Sequence, residues 1–236
     1  MQRYQYRIGV LLLSLTTLIA LSYAHFSQPQ VPNYTLPSKV VQIPIPPLPQ
    51  HPLYPTGCES VAAVMALNHA GTSITVDQFI DLHLPCSSHF YRQDDLLYGP
   101  DPFAVFVGNP RSEQSYGCMA PVIERALVSR SCPSQKVHNV SGTDLTELCT
   151  HYIDAGIPVI TWATIDMSPA TVGNSWFLEN GRFFVWTAGE HCLLLVGYDD
   201  EHYYFNDPRY GKTVAYTKTD TERAYAALGK QALVIQ

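Results

Sequence analysis

The chain has 236 residues, enough for one large domain or two small ones with a substantial core. Hydrophobic residues make up 46% and charged residues only 14%, against roughly a quarter charged in average soluble proteins, which excludes intrinsic disorder for the bulk of the chain. A net charge of −6 without any Lys/Arg run excludes an electrostatic grip on nucleic acid or an anionic membrane surface, and six cysteines without a C-x-x-C or H-x-x-x-H pair fit neither a zinc ribbon nor a disulfide-dense miniature scaffold.

In chain order, Arg3 and Arg7 precede an uncharged apolar span from Ile8 to Tyr23, and Ser22 and Ala24 place small residues ahead of a cleavage point. This layout predicts a signal peptide or membrane anchor over residues 1–24, with the rest of the chain exported to the outside or the cell surface. Nine of the 18 prolines fall between Pro29 and Pro55, so residues 25–39 read as a Pro-rich linker. Residues 40–236 form the predicted folded domain, entered by an edge strand over Val40 to Ile45.

At Tyr54-Pro55-Thr56-Gly57-Cys58 the pattern switches to an Ala-rich helix, with Val61, Val64, Met65 and Asn68 on one face and Gly71 as its stop. Thr75-Val76-Asp77-Gln78 is a capping box that opens a second, short helix. Leu84 to Gly117 has little periodicity and reads as a long functional loop. Further helices are expected at Ala120 to Ser129 and Asp144 to Ala155. A strand over Gly156 to Thr164 follows, then hairpin-linked strands at Arg182 to Thr187, His191 to Tyr198, His202 to Asn206 and Lys212 to Tyr216, a helix at Asp220 to Leu228 and a closing strand at Gln231 to Ile235. Helices first and sequential strands after them predict an α+β fold with an antiparallel sheet.

The chemistry concentrates at two places. Cys58 sits in the first turn of a helix, where backbone N–H groups and the macrodipole favour a thiolate, so its pKa is expected to fall. It can equally be a small buried hydrophobe. His191 stands at the mouth of an otherwise apolar strand, and the returning strand brings Asn206 or Asp207 level with it. Either can hold the imidazole through Nδ1–H and leave Nε2 facing a thiol. Gln50, upstream of Cys58, can supply a side-chain amide to a developing oxyanion beside the Cys58 N–H. Gly57 lets a substrate approach closely. Trp162, Trp176 and Trp186 are candidate cleft walls, and the loops Gly99 to Gly117, with Gly108 and Asn109, and Met167 to Gly181 can line a groove.

Pro-Thr-Gly-Cys-Glu-Ser before an Ala-rich helix, Gly-Asn-Pro in the long loop, Gly-Ile-Pro-Val-Ile, and His-Cys-x5-Gly-Tyr-Asp ahead of Phe-Asn-Asp-Pro together resemble the peptidase C39-like (family 2) cysteine peptidases. The resemblance spans about Val40 to Ile235. It implies a papain-like fold with the nucleophile helix packed on a C-terminal antiparallel sheet, Cys58 as nucleophile, His191 as general base and acid, Asp207 as its orienter and Gln50 as oxyanion donor. The Gln-to-Cys spacing is slightly longer than in the bacteriocin-leader peptidases. The implied activity is peptide-bond hydrolysis through a thioester, by a monomer acting on a peptide or protein, with no metal or cofactor. Cleavage of peptidoglycan stem peptides by the same chemistry and non-catalytic peptide binding at the cell surface are the alternatives. Cys192 is expected to be a core thiol. The other four cysteines allow three pairings and up to two disulfides in an exported chain, with Cys86–Cys118 and Cys132–Cys149 the favoured pair.

Overall fold

A computed structural model of the chain describes residues 40–130 and 135–236. The signal segment over 1–24, the linker over 25–39 and Cys132 lie outside the described residues. Among those described, no helix is long and apolar enough to cross a membrane.

Strand β1 is short, Val41–Gln42, and pairs antiparallel with a strand far along the chain. Helix α1, Cys58–His69, is buried at every position from Cys58 to Leu67, which is why its sequence carries small and apolar residues on all sides rather than a single stripe. Helix α2, Val76–His83, starts on the predicted capping box: Thr75 Oγ1 accepts the Gln78 N–H at 3.1 Å and Gln78 Oε1 accepts the Thr75 N–H at 3.0 Å.

The segment expected to be a long loop is built instead from short strands: β2 Cys86–Ser87, β3 Tyr91–Gln93, β4 Leu96–Tyr98 and β5 Phe106–Val107. Strands of two or three residues are too short to leave an alternating pattern in a sequence. Helix α3, Ala120–Arg130, and strand β6, Val137–Asn139, follow. The helix expected over Asp144 to Ala155 is a single α-turn, α4 Leu145–Leu148, that widens into a π-helix over Cys149–Ile153.

The second half contains β7 Val159–Thr164, β8 Thr171–Phe177, β9 Phe183–Ala188, β10 Glu190–Tyr198, β11 His202–Asp207, β12 Lys212–Thr217, helix α5 Lys218–Ala227 and β13 Ala232–Ile235. The main sheet runs β12-β11-β10-β7-β13-β6, with β1 added against β10, and its pairs are antiparallel. The expectation of sequential hairpins holds from β10 to β12 and fails before it. β9 pairs with β8, over the stretch expected to be the Met167 to Gly181 loop, in a separate sheet of order β3-β4-β8-β9. Phe90, Tyr116, Trp176, Phe184 and Trp186 pack ring on ring beneath it.

The core lies where α1 packs on β10 and β7. Every residue of β7 and nearly all of β10 is buried, so both strands read as continuous apolar runs. This α+β architecture brings the first residue of α1 to the seam where β10 begins.

Candidate active site

Cys58 opens α1 behind a short, tightly held approach. Thr56 Oγ1 donates to the Ser112 carbonyl at 2.9 Å, and Gly57 lies so close to its neighbours that a Cβ there would stand 2.9 Å from Tyr54 Cβ and 3.1 Å from Pro110 Cβ. Glycine at 57 therefore serves internal packing, where the sequence suggested room for a substrate. Gly108 and Asn109 form the turn that this approach leans on. The Asn109 side chain caps its own turn by accepting the Arg111 N–H at 3.0 Å, and its backbone is clasped by Ser115.

The Cys58 thiol is 5% exposed. Burial raises its pKa well above the usual thiol value, the nearby Glu59, Glu190 and Cys192 raise it further, and the Cys192 N–H opposes them. This direction, set first by burial and then by the acidic neighbours, is opposite to the fall expected at a helix N-terminus. The thiol donates to Glu59 Oε2 at 3.4 Å.

His191 is the second residue of β10 and is 2% exposed. Its Nε2 meets Asp207 Oδ1 at 2.8 Å. The β10–β11 register pairs Leu194 with Asn206, so Asp207 falls opposite Leu193 and reaches His191 diagonally along one face. Since Nε2 is taken, Nδ1 is the nitrogen left for a thiol, the reverse of the assignment expected from sequence. Asp207 also accepts the Tyr216 hydroxyl at 2.8 Å on Oδ2 and the Arg209 N–H at 2.9 Å on Oδ1. Burial pushes its carboxyl up, but the hydrogen bond and charge of His191, with the Tyr216 and Arg209 donors, outweigh burial and hold it below the usual carboxylate range. Asn206, the alternative orienter, is spent elsewhere. Its Nδ2 donates to the Ile45 carbonyl at 2.8 Å and its Oδ1 accepts from Thr213, fastening the lead-in chain to the sheet.

Gln50 is moored beside this pair: its N–H donates to the carbonyl of Pro208, next to Asp207, at 2.8 Å. The side chain is buried, Nε2 donates to the Pro55 carbonyl at 2.8 Å, and Oε1 has no partner. Trp162 is fully buried and gives its indole N–H to the Cys118 carbonyl at 2.9 Å, so it is a core residue and not a cleft wall. The expected disulfides are not formed among the described residues: Cys86, Cys118 and Cys149 are free thiols, and Cys192 is buried as expected. Cys86 pairs along β2 with β5 while Cys118 is drawn inward beside Glu59, and no bond joins them.

Two residues that crowd Cys58 are not singled out by the sequence. Glu59 and Glu190 are both buried, and one oxygen of each lies within 4.8 Å of the other and of the Cys58 sulfur. The available signal was a carboxylate inside an otherwise apolar helix and another directly ahead of His191.

Residues 42–233 match the model of the Peptidase_C39 like family. The chain is 30% identical over 185 residues to the uncharacterized protein YvpB of Bacillus subtilis (strain 168), covering 76% of this chain and 69% of that one. A crystal structure from Bacillus anthracis, of a protein described as a "putative C39-like peptidase", shares the fold with a TM-score of 0.73 at 24% identity, covering 84% of this chain and 98% of the other. With four-fifths of the sequence inside the family model, and Cys58, His191 and Asp207 all within it, the chain belongs to the Peptidase_C39 like family.

Proposed function

We propose that this chain is a thiol peptidase with a papain-like Cys-His-Asp site, made for export and acting on peptides outside the cytoplasm or at the cell surface. The observation that carries the reading is the buried His191–Asp207 pair at 2.8 Å, set on the strand whose next residue, Cys192, meets the Cys58 thiol. A dry imidazole–carboxylate pair on the strand whose Cys192 N–H meets a thiol at a helix start has the parts of a nucleophile, a base and an orienter.

In this reading Cys58 passes its proton to His191 Nδ1 and the sulfur attacks the substrate carbonyl. The oxyanion is met by the Cys58 N–H and the Gln50 amide. The C–N bond breaks as the amine takes the proton from His191, and water, deprotonated by the same nitrogen, hydrolyses the thioester and restores the thiol. Asp207 stays ionised throughout and steadies the imidazolium.

The test is hydrolysis of a peptide library by the purified chain, its Cys58→Ala and His191→Ala variants, and enzyme treated with an E-64-type reagent. Loss of turnover in all three supports the reading. Undiminished hydrolysis by Cys58→Ala refutes it.

A further inference from the structure

The seam between α1 and β10 holds two carboxyl groups that the mechanism above does not use. Glu59 Oε1 accepts the Cys118 N–H at 2.6 Å, and its other oxygen accepts the Cys58 thiol. Glu190 Oε1 is buried with no hydrogen-bond partner. Gly117, at φ +140°, marks where they converge: a Cβ there would lie 2.5 Å from Glu59 Oε1 and 3.1 Å from Glu190 Oε2. The titratable groups facing the pair are Cys58 from α1, Cys86 from β2, Cys118 ahead of α3 and Cys192 from β10. None is a base. His191 is engaged by Asp207, and Arg111, which acts on Cys86, is paired with Asp77 and Asp81.

We infer that Glu59 is a hydrogen-bond acceptor that competes with His191 for the Cys58 thiol hydrogen, and that Glu190 sets whether it does so, the two carboxyls acting as a protonation gate on the nucleophile. The inference rests on the reading of Cys58 as nucleophile and adds its regulation. Two carboxylates this close in a dry site do not both ionise, so around neutral pH they share a proton and carry one negative charge. In that state the hydrogen remains on sulfur, directed at Glu59 Oε2, and the adjacent anion opposes a thiolate. A second proton taken from solvent neutralises the pair. Glu59 then stops attracting the thiol hydrogen, which passes to His191 Nδ1 and leaves a thiolate–imidazolium pair ready to attack. Burial pushes the Glu59 carboxyl up to about 7 and Glu190 well above its ordinary value, which places the gate near neutrality. Glu59 touches the reacting sulfur and is a catalytic residue; Glu190 acts through it as a positioning residue.

The experiment is the rate of Cys58 alkylation by iodoacetamide from about pH 5 to about pH 9, read by mass spectrometry of the Cys58 peptide, with peptide hydrolysis followed in parallel. In the native chain the rate should fall as pH rises through about 7, the reverse of an ordinary thiol, and climb again only in alkali. Glu59→Gln keeps an acceptor for the Cys118 N–H and offers a donor to sulfur. It should abolish the descending limb and raise the rate near pH 8 by about tenfold, one pKa unit. Glu190→Gln removes the competing carboxylate, so the remaining charge settles on Glu59 and the limb should move to lower pH, with slower alkylation near pH 7; it supplies the test if Glu59→Gln does not fold. Profiles unchanged in both variants, slower alkylation near pH 8 in Glu59→Gln, or faster alkylation near pH 7 in Glu190→Gln overturn the gate. Hydrolysis that survives Cys58→Ala overturns the peptidase reading instead, so the two failures are distinct.

Discussion

Asp207 is the residue whose replacement separates orientation from packing. Its side chain is wholly buried and receives three donors, from His191, Tyr216 and Arg209. Truncation to Ala strands all three and leaves a cavity at the end of β11. Removing one partner from a buried, hydrogen-bonded pair costs about 3–5 kcal/mol. With a urea dependence of about 2 kcal/mol per molar for a domain of this size, the unfolding midpoint should drop by about 2 M. Asp207→Asn keeps the shape and one acceptor but removes the charge that steadies the imidazolium. Turnover should then fall by about two to four orders of magnitude, with KM nearly unchanged, while the midpoint falls by less than in the Ala variant. The acid limb supplies an independent check. A carboxyl held below its unfolded pKa contributes stability that is present above the unfolded value, about 3.9, and is lost as pH falls through the folded one. The native chain should lose that stability in acid and Asp207→Asn should not. Equal urea midpoints for all three proteins, or identical acid limbs for the native chain and Asp207→Asn, would refute the assignment of Asp207 as the buried partner of His191.

Glu59 predicts the opposite slope. Its carboxyl is raised to about 7 from 4.5, so between these values the folded state keeps a proton that the unfolded chain has lost, and stability falls as pH rises, by up to about 3 kcal/mol. Urea midpoints of the native chain should decline from about pH 5 to about pH 8 and those of Glu59→Gln should decline less steeply, Glu190 alone remaining; parallel slopes count against a buried, proton-bearing Glu59. Gly57→Ala would set a Cβ 2.9 Å from Tyr54 Cβ and should push the chain ahead of Cys58 away from Tyr54 and Pro110, lowering turnover at least about tenfold for about 1–2 kcal/mol of stability; unaltered turnover would show that this close packing does not position Cys58.

Where one local rule determines an element, the sequence was enough to place it. The capping box at Thr75 and Gln78 fixes the start of α2, and the Ala-rich, Gly-bounded run fixes α1, because both are decided within a turn of chain. The apolar runs of β7 and β10 announce central strands, although β7 opens at Val159 rather than Gly156, once Pro158 is past. Pairing partners were harder. β9 and β10 are separated by Gly189 alone, which reads as a hairpin, yet the chain turns there from one sheet to another. The side chains that draw β9 away, Phe184 and Trp186, find their partners at Tyr116 and Trp176, and nothing local records such contacts.

The candidate site divides along the same line. The pairing of His191 with Asp207 is legible because a hairpin register relates them, and Cys58 is legible as a helix start behind a glycine. The burial of Trp162 is not, because an aromatic on a strand looks alike whether it faces a cleft or the core; here its N–H goes to the Cys118 carbonyl. The direction of the Cys58 shift is not legible from its helix. Burial raises a thiol pKa, and here Glu59, Glu190 and Cys192 crowd the sulfur and raise it further. Each of those residues looks ordinary where it stands in the sequence. Their meaning comes from converging on one sulfur across the α1–β10 seam, with Gly117 leaving the room for both carboxyls, so the electrostatics of the Cys58 thiol are a property of tertiary packing and not of its helix alone.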